Sequence, residues 1–178
     1  EGGSLIDCRL RGNYRLRGNK QTNPIAVGDQ VLYVIQEDGT GLISEVCDRR
    51  NYIVRKATKL SKQTHVIASN IDQLCIVATL GFPRTSTGFI DRLLVTAEAY
   101  HIPAIVVFNK YDLYDDEQKE ILDKLMRVYN EIGYQSFETS AITGLNRDRL
   151  KDALKRKVSL LSGHSGVGKS ALVNSLDP

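Results

Sequence analysis

Short stretches of alternating or consecutive β-forming residues fill the first 69 positions and predict an all-β unit. The predicted strands are "IDCRLR" (6–11), "DQVLYVIQ" (29–36), "GLISEVCD" (41–48) and "NYIVRKA" (51–57). No helical pattern interrupts them, so we expect a small barrel of the oligonucleotide/oligosaccharide-binding (OB) kind. An SH3-like barrel would give the same pattern, and a first strand of the barrel could precede the printed sequence.

From residue 70 the pattern changes to buried strands that alternate with amphipathic helices. The elements are "QLCIVATL" (73–80), "GFIDRLLVTAEAY" (88–100), "IPAIVVFN" (102–109), "DDEQKEILDKLMRVYNEIG" (115–133), "YQSFETS" (134–140), "NRDRLKDALKR" (146–156), "KVSLLSG" (157–163) and "KSALVNSL" (169–176). This alternation predicts a mostly parallel sheet with helices on both faces. We therefore expect two domains, 1–69 and 70–178, joined by a link over residues 57–70.

Composition and charge narrow the class of protein. The 178 residues are 42% hydrophobic and 25% charged, which is typical of a globular protein, and no apolar run approaches the roughly 20 residues of a membrane span. None of the three cysteines has metal-ligand spacing, which indicates reduced thiols and a cytoplasmic protein. Residues 1–69 hold 11 Lys or Arg against 7 Asp or Glu, whereas residues 70–178 hold 13 against 14, so the first domain is expected to meet an anionic partner.

A glycine-rich stretch near the end of the sequence predicts a phosphate-binding loop. It reads G-x-x-x-x-G-K-S between a predicted strand and a predicted helix, as that motif requires. Its backbone amides are expected to bind phosphate oxygens, with Lys169 stabilising phosphate charge and the Ser170 hydroxyl ligating Mg²⁺. The motif alone does not distinguish ATP from GTP. The predicted nucleotide-binding residues here are Gly163, His164, Ser165, Gly166, Val167, Gly168, Lys169, Ser170 and Ala171.

Two further motifs predict a guanine site. Asn109, Lys110 and Asp112 form N-K-x-D after a buried strand, at the end where ligands bind in an open α/β sheet. The Asp112 carboxylate can accept the paired donors that guanine offers and adenine lacks. The Ser-Ala pair, Ser140 and Ala141, follows the next strand and is expected to offer a backbone N–H to the guanine oxygen.

The motif order differs from that of an ordinary GTPase, in which the phosphate loop comes first. Here N-K-x-D is followed by Ser-Ala and then by the phosphate loop. This order predicts a circularly permuted, incomplete GTPase domain over residues 70–178. Permutation is compatible with folding because the termini of a domain often lie close together at its surface.

With these motifs the sequence resembles the bacterial small ribosomal subunit biogenesis GTPase family called RsgA or YjeQ. The resemblance covers almost the whole chain and implies an RNA-binding OB barrel, a permuted GTPase domain and a C-terminal zinc-binding domain. The stretches that carry it are "CRLRGNYRLRG", "TNPIAVGD", "NYIVRKATKLSKQTHVIASNIDQ", "TSTGFIDRLLVTAEAY", "VFNKYDL" and "GHSGVGKSALVN".

The resemblance also implies an activity and partners. It implies Mg²⁺-dependent hydrolysis of GTP to GDP and phosphate in late assembly of the small (30S) ribosomal subunit, with rRNA binding and stimulation by that subunit. We expect a cytoplasmic monomer that does not bind membranes.

The printed sequence departs from the family pattern after the phosphate loop. It stops before the family's switch and D-x-x-G segments and its zinc domain, so we expect a fragment that hydrolyses GTP poorly and leaves the water-positioning residue unidentified. Zinc is expected only in the missing domain. His164 is disfavoured as a catalyst because side chains between the loop glycines usually point outward.

Basic residues in the first domain are candidates for RNA contact, since basic and aromatic side chains on such a barrel suit single strands. A second basic cluster lies at 49–56. The primary candidates are Arg9, Arg11, Tyr14, Arg15, Arg17 and Lys20.

Two alternative functions remain. A P-loop ATPase or kinase would share the phosphate loop, although Asp112 argues against it. A GTP-dependent RNA-binding switch with negligible hydrolysis would differ in turnover measured with and without small subunits.

Overall fold

The computed structural model describes residues 4–10, 23–56 and 64–176. Contacts between Cα atoms divide the chain into two compact units, Glu1–Asn70 and Ile71–Pro178. In the described part of the chain, no helix combines the length and apolar character needed to cross a membrane.

All regular secondary structure in the described part of the first unit is β-strand. In a three-stranded sheet ordered β1-β3-β2, β3 pairs parallel with β1 and antiparallel with β2. A separate antiparallel pair is formed by β4 and β5. The five strands are β1 (Cys8–Leu10), β2 (Val31–Ile35), β3 (Gly41–Val46), β4 (Tyr52–Lys56) and β5 (Thr64–Ser69).

The predicted link over residues 57–70 is wrong for residues 64–69, because β5 pairs with β4 in the first unit, while residues 57–63 lie outside the described part of the chain. Val66 and Ala68 are buried, with 1% and 8% of their surface exposed, whereas Ile67 between them is exposed. The backbone of Val66 in β5 is hydrogen-bonded by a side chain rather than by another strand. The Asn23 amide donates to Val66 O at 2.8 Å and accepts from Val66 N at 3.0 Å, as a neighbouring strand would.

The second unit alternates strands and helices, as predicted. Its sheet has the order β8-β7-β6-β9, and every neighbouring pair is parallel. The predicted fold class, an all-β unit followed by an α/β unit, is confirmed. The elements are β6 (Gln73–Ala78), α1 (Thr87–Ala99), β7 (Ala104–Phe108), a 3₁₀ turn (Tyr111–Leu113), α2 (Asp116–Glu131), β8 (Gln135–Glu138), α3 (Arg147–Leu154), β9 (Ser159–Ser162) and α4 (Lys169–Leu176).

Both faces of this sheet are covered by helices, which explains why its central strands are apolar throughout. Alternate residues of β6 and β7 face opposite layers. One layer joins the sheet to α3 and α4 through Cys75, Val77, Ile105, Val107, Phe137, Leu150, Val167 and Leu172. The opposite layer carries α1 and α2, whose buried residues are Ile90, Leu94, Ala97, Leu122 and Tyr129.

Helix α2 starts where its sequence indicates but buries less than its apolar pattern predicts. Asp115 caps the helix by accepting from Gln118 N at 2.8 Å, and the Gln118 side chain accepts from Asp115 N. The apolar residues Ile121, Val128 and Ile132 remain exposed. The apolar stripe in the sequence of this helix is therefore wider than the face that contacts the sheet.

An ion pair holds the first unit together at Asp29, whose side chain is fully buried. The Arg49 guanidinium donates to both carboxylate oxygens at 2.7 Å, and Ser69 Oγ and Ala26 N donate at 2.5 and 2.8 Å. Burial alone would raise the pKa of Asp29, but these hydrogen bonds and the charge of Arg49 outweigh it and lower the pKa. The ion pair thus joins the segment before β2 to β5 and to the β3–β4 connection.

Replacing Arg49 with Met is predicted to destabilise the first unit by about 3 kcal/mol, because it leaves a buried carboxylate without its charge partner. Urea unfolding at pH 7 measures this loss. Arg50→Met, at the exposed neighbouring position, removes a hydrogen bond to the carbonyl oxygen of Asn70 and should cost about 1 kcal/mol or less. Equal losses from the two variants would contradict the assignment.

The same pair predicts a pH dependence. Because the folded-state pKa of Asp29 is lowered, its stabilising contribution is present above the unfolded pKa of about 4 and is lost as the pH falls through the folded value. The parent chain should lose stability below about pH 4 more steeply than Arg49→Met.

Candidate nucleotide-binding site

The predicted site residues follow three strands of the parallel sheet. Asn109, Ser140 and the loop from Gly163 come after β7, β8 and β9, at the carboxyl ends of these strands. Carboxyl ends of parallel strands form the ligand-binding edge of an open α/β sheet.

Glycine is required in the phosphate loop at two points of close approach. A Cβ on Gly163 would lie 2.2 Å from the carbonyl oxygen of Val77, and one on Gly168 would lie 2.4 Å from Asn109 Nδ2. Gly168 also has a φ of +94°, in the left-handed region. A side chain at either position would displace the loop from the sheet.

Lys169 begins α4 and turns its ammonium back across the loop. Its Nζ donates to the carbonyl oxygens of Gly163 and His164 at 2.9 and 2.8 Å. Val167 is fully buried in the core beside Leu172. The Val167 side chain therefore anchors the loop in the core, while the ammonium of Lys169 lies over the loop backbone.

Asn109 connects the N-K-x-D motif to the phosphate loop. Its side chain is buried, donates from Nδ2 to Val167 O at 2.9 Å and accepts from Thr139 Oγ1 at 3.3 Å. Lys110 lies against the same loop, and its Nζ donates to Phe82 O at 2.6 Å. In this structure, Asn109 thus connects the N-K-x-D motif to the phosphate loop and to the end of β8, and Lys110 connects it to the segment that follows β6.

Asp112 is held by the Ser-Ala motif. Its exposed carboxylate accepts from the hydroxyl of Ser140 at 2.5 Å, and that hydroxyl accepts from Thr143 N at 3.1 Å. Ser140 is only 2% exposed. The serine side chain thus fixes the orientation of Asp112, a role the sequence did not indicate, while Ala141 packs against the core.

Tyr114 supports the site but was not predicted. Its buried hydroxyl donates to Asn109 O at 2.7 Å and accepts from Leu80 N at 2.9 Å. Burial raises its pKa to about 12, so the hydroxyl remains a neutral donor at physiological pH. No sequence signal marks this role, because a tyrosine after N-K-x-D belongs to no phosphate or base motif.

His164 faces α1. Its ring stacks on Phe89, with ring centroids 4.0 Å apart and planes 30° apart. Ser165 and Gly166 continue the exposed turn of the loop, and Ser170 and Ala171 are exposed in the first turn of α4.

Of the RNA-contact candidates, Arg9 is exposed on β1, and Arg11, Tyr14, Arg15, Arg17 and Lys20 lie outside the described residues. Arg49 does not belong to a solvated basic surface, because only 12% of its side-chain surface is exposed and its guanidinium donates to Asp29.

A phosphate loop, N-K-x-D and Ser-Ala at the carboxyl ends of strands in one β8-β7-β6-β9 sheet define a circularly permuted P-loop GTPase domain. Two family descriptions match the chain, RsgA GTPase over residues 46–178 and RsgA N-terminal domain over residues 1–43. The chain belongs to the RsgA GTPase family.

Individual relatives agree with this assignment. The small ribosomal subunit biogenesis GTPases RsgA of Bacteroides fragilis strain YCH46 and Flavobacterium johnsoniae are each 49% identical to the chain, which spans 57% and 56% of their lengths. Among solved structures, YjeQ from Thermotoga maritima has a TM-score of 0.78 at 39% identity, with 99% of this chain and 58% of that chain covered. YloQ, described as a circularly permuted GTPase, has a TM-score of 0.70 at 32% identity, with 99% and 57% covered.

Gly168→Ala is predicted to weaken GDP binding about tenfold or more, because its Cβ would break the Asn109–Val167 hydrogen bond and leave a buried donor unpaired. Calorimetric titration with GDP measures the change. Gly133→Ala is the matched control, since Gly133 has a similar φ of +96° and no atom within 4 Å of its Cβ position. If both variants bind GDP like the parent chain, the close approach at Gly168 does not shape the site.

Proposed function

We propose that this chain is the guanine-nucleotide-binding part of a GTPase that acts in biogenesis of the small ribosomal subunit. The observation that carries the proposal is the Ser140–Asp112 hydrogen bond beside Asn109, whose amide is bonded to the phosphate loop. These contacts support the proposal because they link Asp112, the proposed guanine acceptor, to the loop that is proposed to bind phosphate. The relatives' names supply the ribosomal context.

The residues present fit a nucleotide with Mg²⁺. Gly163 and Gly168 leave the loop backbone free to approach phosphate, and Lys169 supplies a positive charge beside it. A protonated lysine has no acceptor, so Lys169 is proposed to stabilise phosphate charge rather than to activate water. Ser170 is the proposed Mg²⁺ ligand, and the ion would act there as a Lewis acid on phosphate oxygens.

Asp112 is proposed to select guanine. Asp112→Asn replaces one acceptor oxygen with a donor nitrogen, while xanthine carries a carbonyl where guanine carries its amine. We predict that the variant loses at least about tenfold in GTP affinity and gains XTP affinity, since a site built on hydrogen bonds rejects an unmatched analogue steeply. Titration of GTP, XTP and ATP against both proteins measures this.

Asp115→Asn is the control, because it makes the same substitution at an exposed helix cap where Asn serves as well as Asp. Unchanged GTP affinity in Asp112→Asn would sink the guanine assignment. Equal binding of ATP and GTP by the parent chain would favour the P-loop ATPase or kinase instead.

We further propose that the chain has two domains, 1–69 and 70–178, and that the first binds rRNA through its basic residues. A protein with a ribosomal partner is also proposed to be cytoplasmic. The net positive charge of residues 1–69 supports rRNA binding. GTP turnover measured with and without small subunits would distinguish a GTP-hydrolysing factor from a GTP-dependent binding switch with negligible hydrolysis.

Arg15→Ala combined with Arg17→Ala is predicted to weaken binding of small subunits and to reduce the slope of log affinity against log salt by about 1–2, because fewer counterions are released. Co-sedimentation at several salt concentrations measures both quantities. Lys151→Ala with Lys155→Ala removes the same charge from the other unit as a control. An unchanged affinity and slope in the arginine variant would argue against a phosphate contact there.

A further inference from the structure

The segment between β6 and α1 contacts the site at several points. We call residues 80–89 the bracket segment. Its Phe82 carbonyl accepts from Lys110 Nζ at 2.6 Å, and Pro83 Cδ would lie 3.4 Å from a Cβ on Gly166. At its end, Phe89 stacks on His164. The segment thus touches both the N-K-x-D motif and the phosphate loop.

The base of the bracket segment is fixed in the core. Thr85 Oγ1 accepts from Thr79 N at 3.1 Å, and Thr85 N donates to Thr79 O at 2.8 Å. Both threonines are buried, with 4% and 0% of their surface exposed. A segment anchored in this way can hold its contacts on the loop without rearranging.

Phe89 is itself fixed in position within the first turn of α1. Its backbone N donates to the Ser86 hydroxyl at 3.3 Å, and the adjacent Ile90 is only 1% exposed in the core. The Phe89 ring is half-buried, whereas His164 is exposed. The stacked pair therefore joins an anchored ring to a ring carried by the loop.

The backbone of His164 belongs to the part of the loop that surrounds the cation. Its carbonyl accepts from Lys169 Nζ at 2.8 Å. A movement of the loop backbone at His164 would therefore displace a carbonyl that is bonded to Lys169. The stack on Phe89 restricts that movement.

We propose that Phe89 is a positioning residue that holds the phosphate loop in its binding conformation through the ring of His164. The proposal rests on the function proposed above and extends it to a residue outside the nucleotide motifs. Phe89 then controls affinity for the phosphate groups of the nucleotide and not for its base, since the stack lies between α1 and the phosphate loop, whereas Asp112 is oriented by Ser140.

The test is a double-mutant cycle on the full chain. Phe89→Leu and His164→Ala should each weaken GDP binding about two- to tenfold, the range for an aromatic pair, and the double variant should lose no more than either single variant. Phe89→Tyr keeps the ring and should retain parental affinity. Guanosine affinity, measured by competition with fluorescent GDP, should stay unchanged in all variants.

The control is Val95→Ala, an exposed position on α1, which should leave both affinities unchanged. Additive losses in the double variant, or equal losses for GDP and guanosine, would overturn the proposal. Should Phe89→Leu fail to fold, His164→Ala decides alone, and parental GDP affinity in that variant would overturn it. If the parent chain binds no GDP, the proposed function fails first.

Discussion

The hydrogen bond from the buried amide of Asn109 to the carbonyl of Val167 is the contact on which the geometry of the site depends. It joins residues 58 positions apart that follow β7 and β9, and these strands are not neighbours because β6 lies between them. Only a glycine at 168 allows the approach. Since an unpaired buried amide costs about 1–3 kcal/mol, the base motif and the phosphate loop are constrained to move together.

Circular permutation leaves this arrangement intact because the site depends on neighbouring strand ends and not on chain order. The sheet order β8-β7-β6-β9 brings the last strand in the sequence next to the first one of its unit. The loop after β9 consequently lies beside the segment after β6, which contacts it through Pro83 and Phe89. Support for the loop thus comes from residues about 80 positions earlier.

Motifs and regular elements could be predicted from the sequence because each is a local pattern. The strands and helices of the second unit match the predicted stretches, since strands buried on both faces are continuous apolar runs, although α1 starts one residue earlier than predicted and the 3₁₀ turn was not predicted. Strand β5 was missed because its apolar run, residues 66–68, is only three residues long between polar neighbours and one of its partners is the side chain of Asn23. The burial of Arg49 by Asp29, 20 positions away, is likewise a non-local contact that a count of basic residues does not detect.

The proposed guanine specificity depends on the Asp112 carboxylate, which is exposed and yet held in one orientation. Asp112 keeps its carboxylate exposed, so the fold does not have to desolvate an unpaired charge. Its orientation comes instead from the Ser140 hydroxyl, which is buried and is fixed in turn by the amide of Thr143. An exposed carboxylate would otherwise lose rotational freedom when it binds a base. Because Ser140 restricts that freedom in advance, the ordering cost of binding is reduced, and both hydrogen bonds to guanine can contribute to its selection.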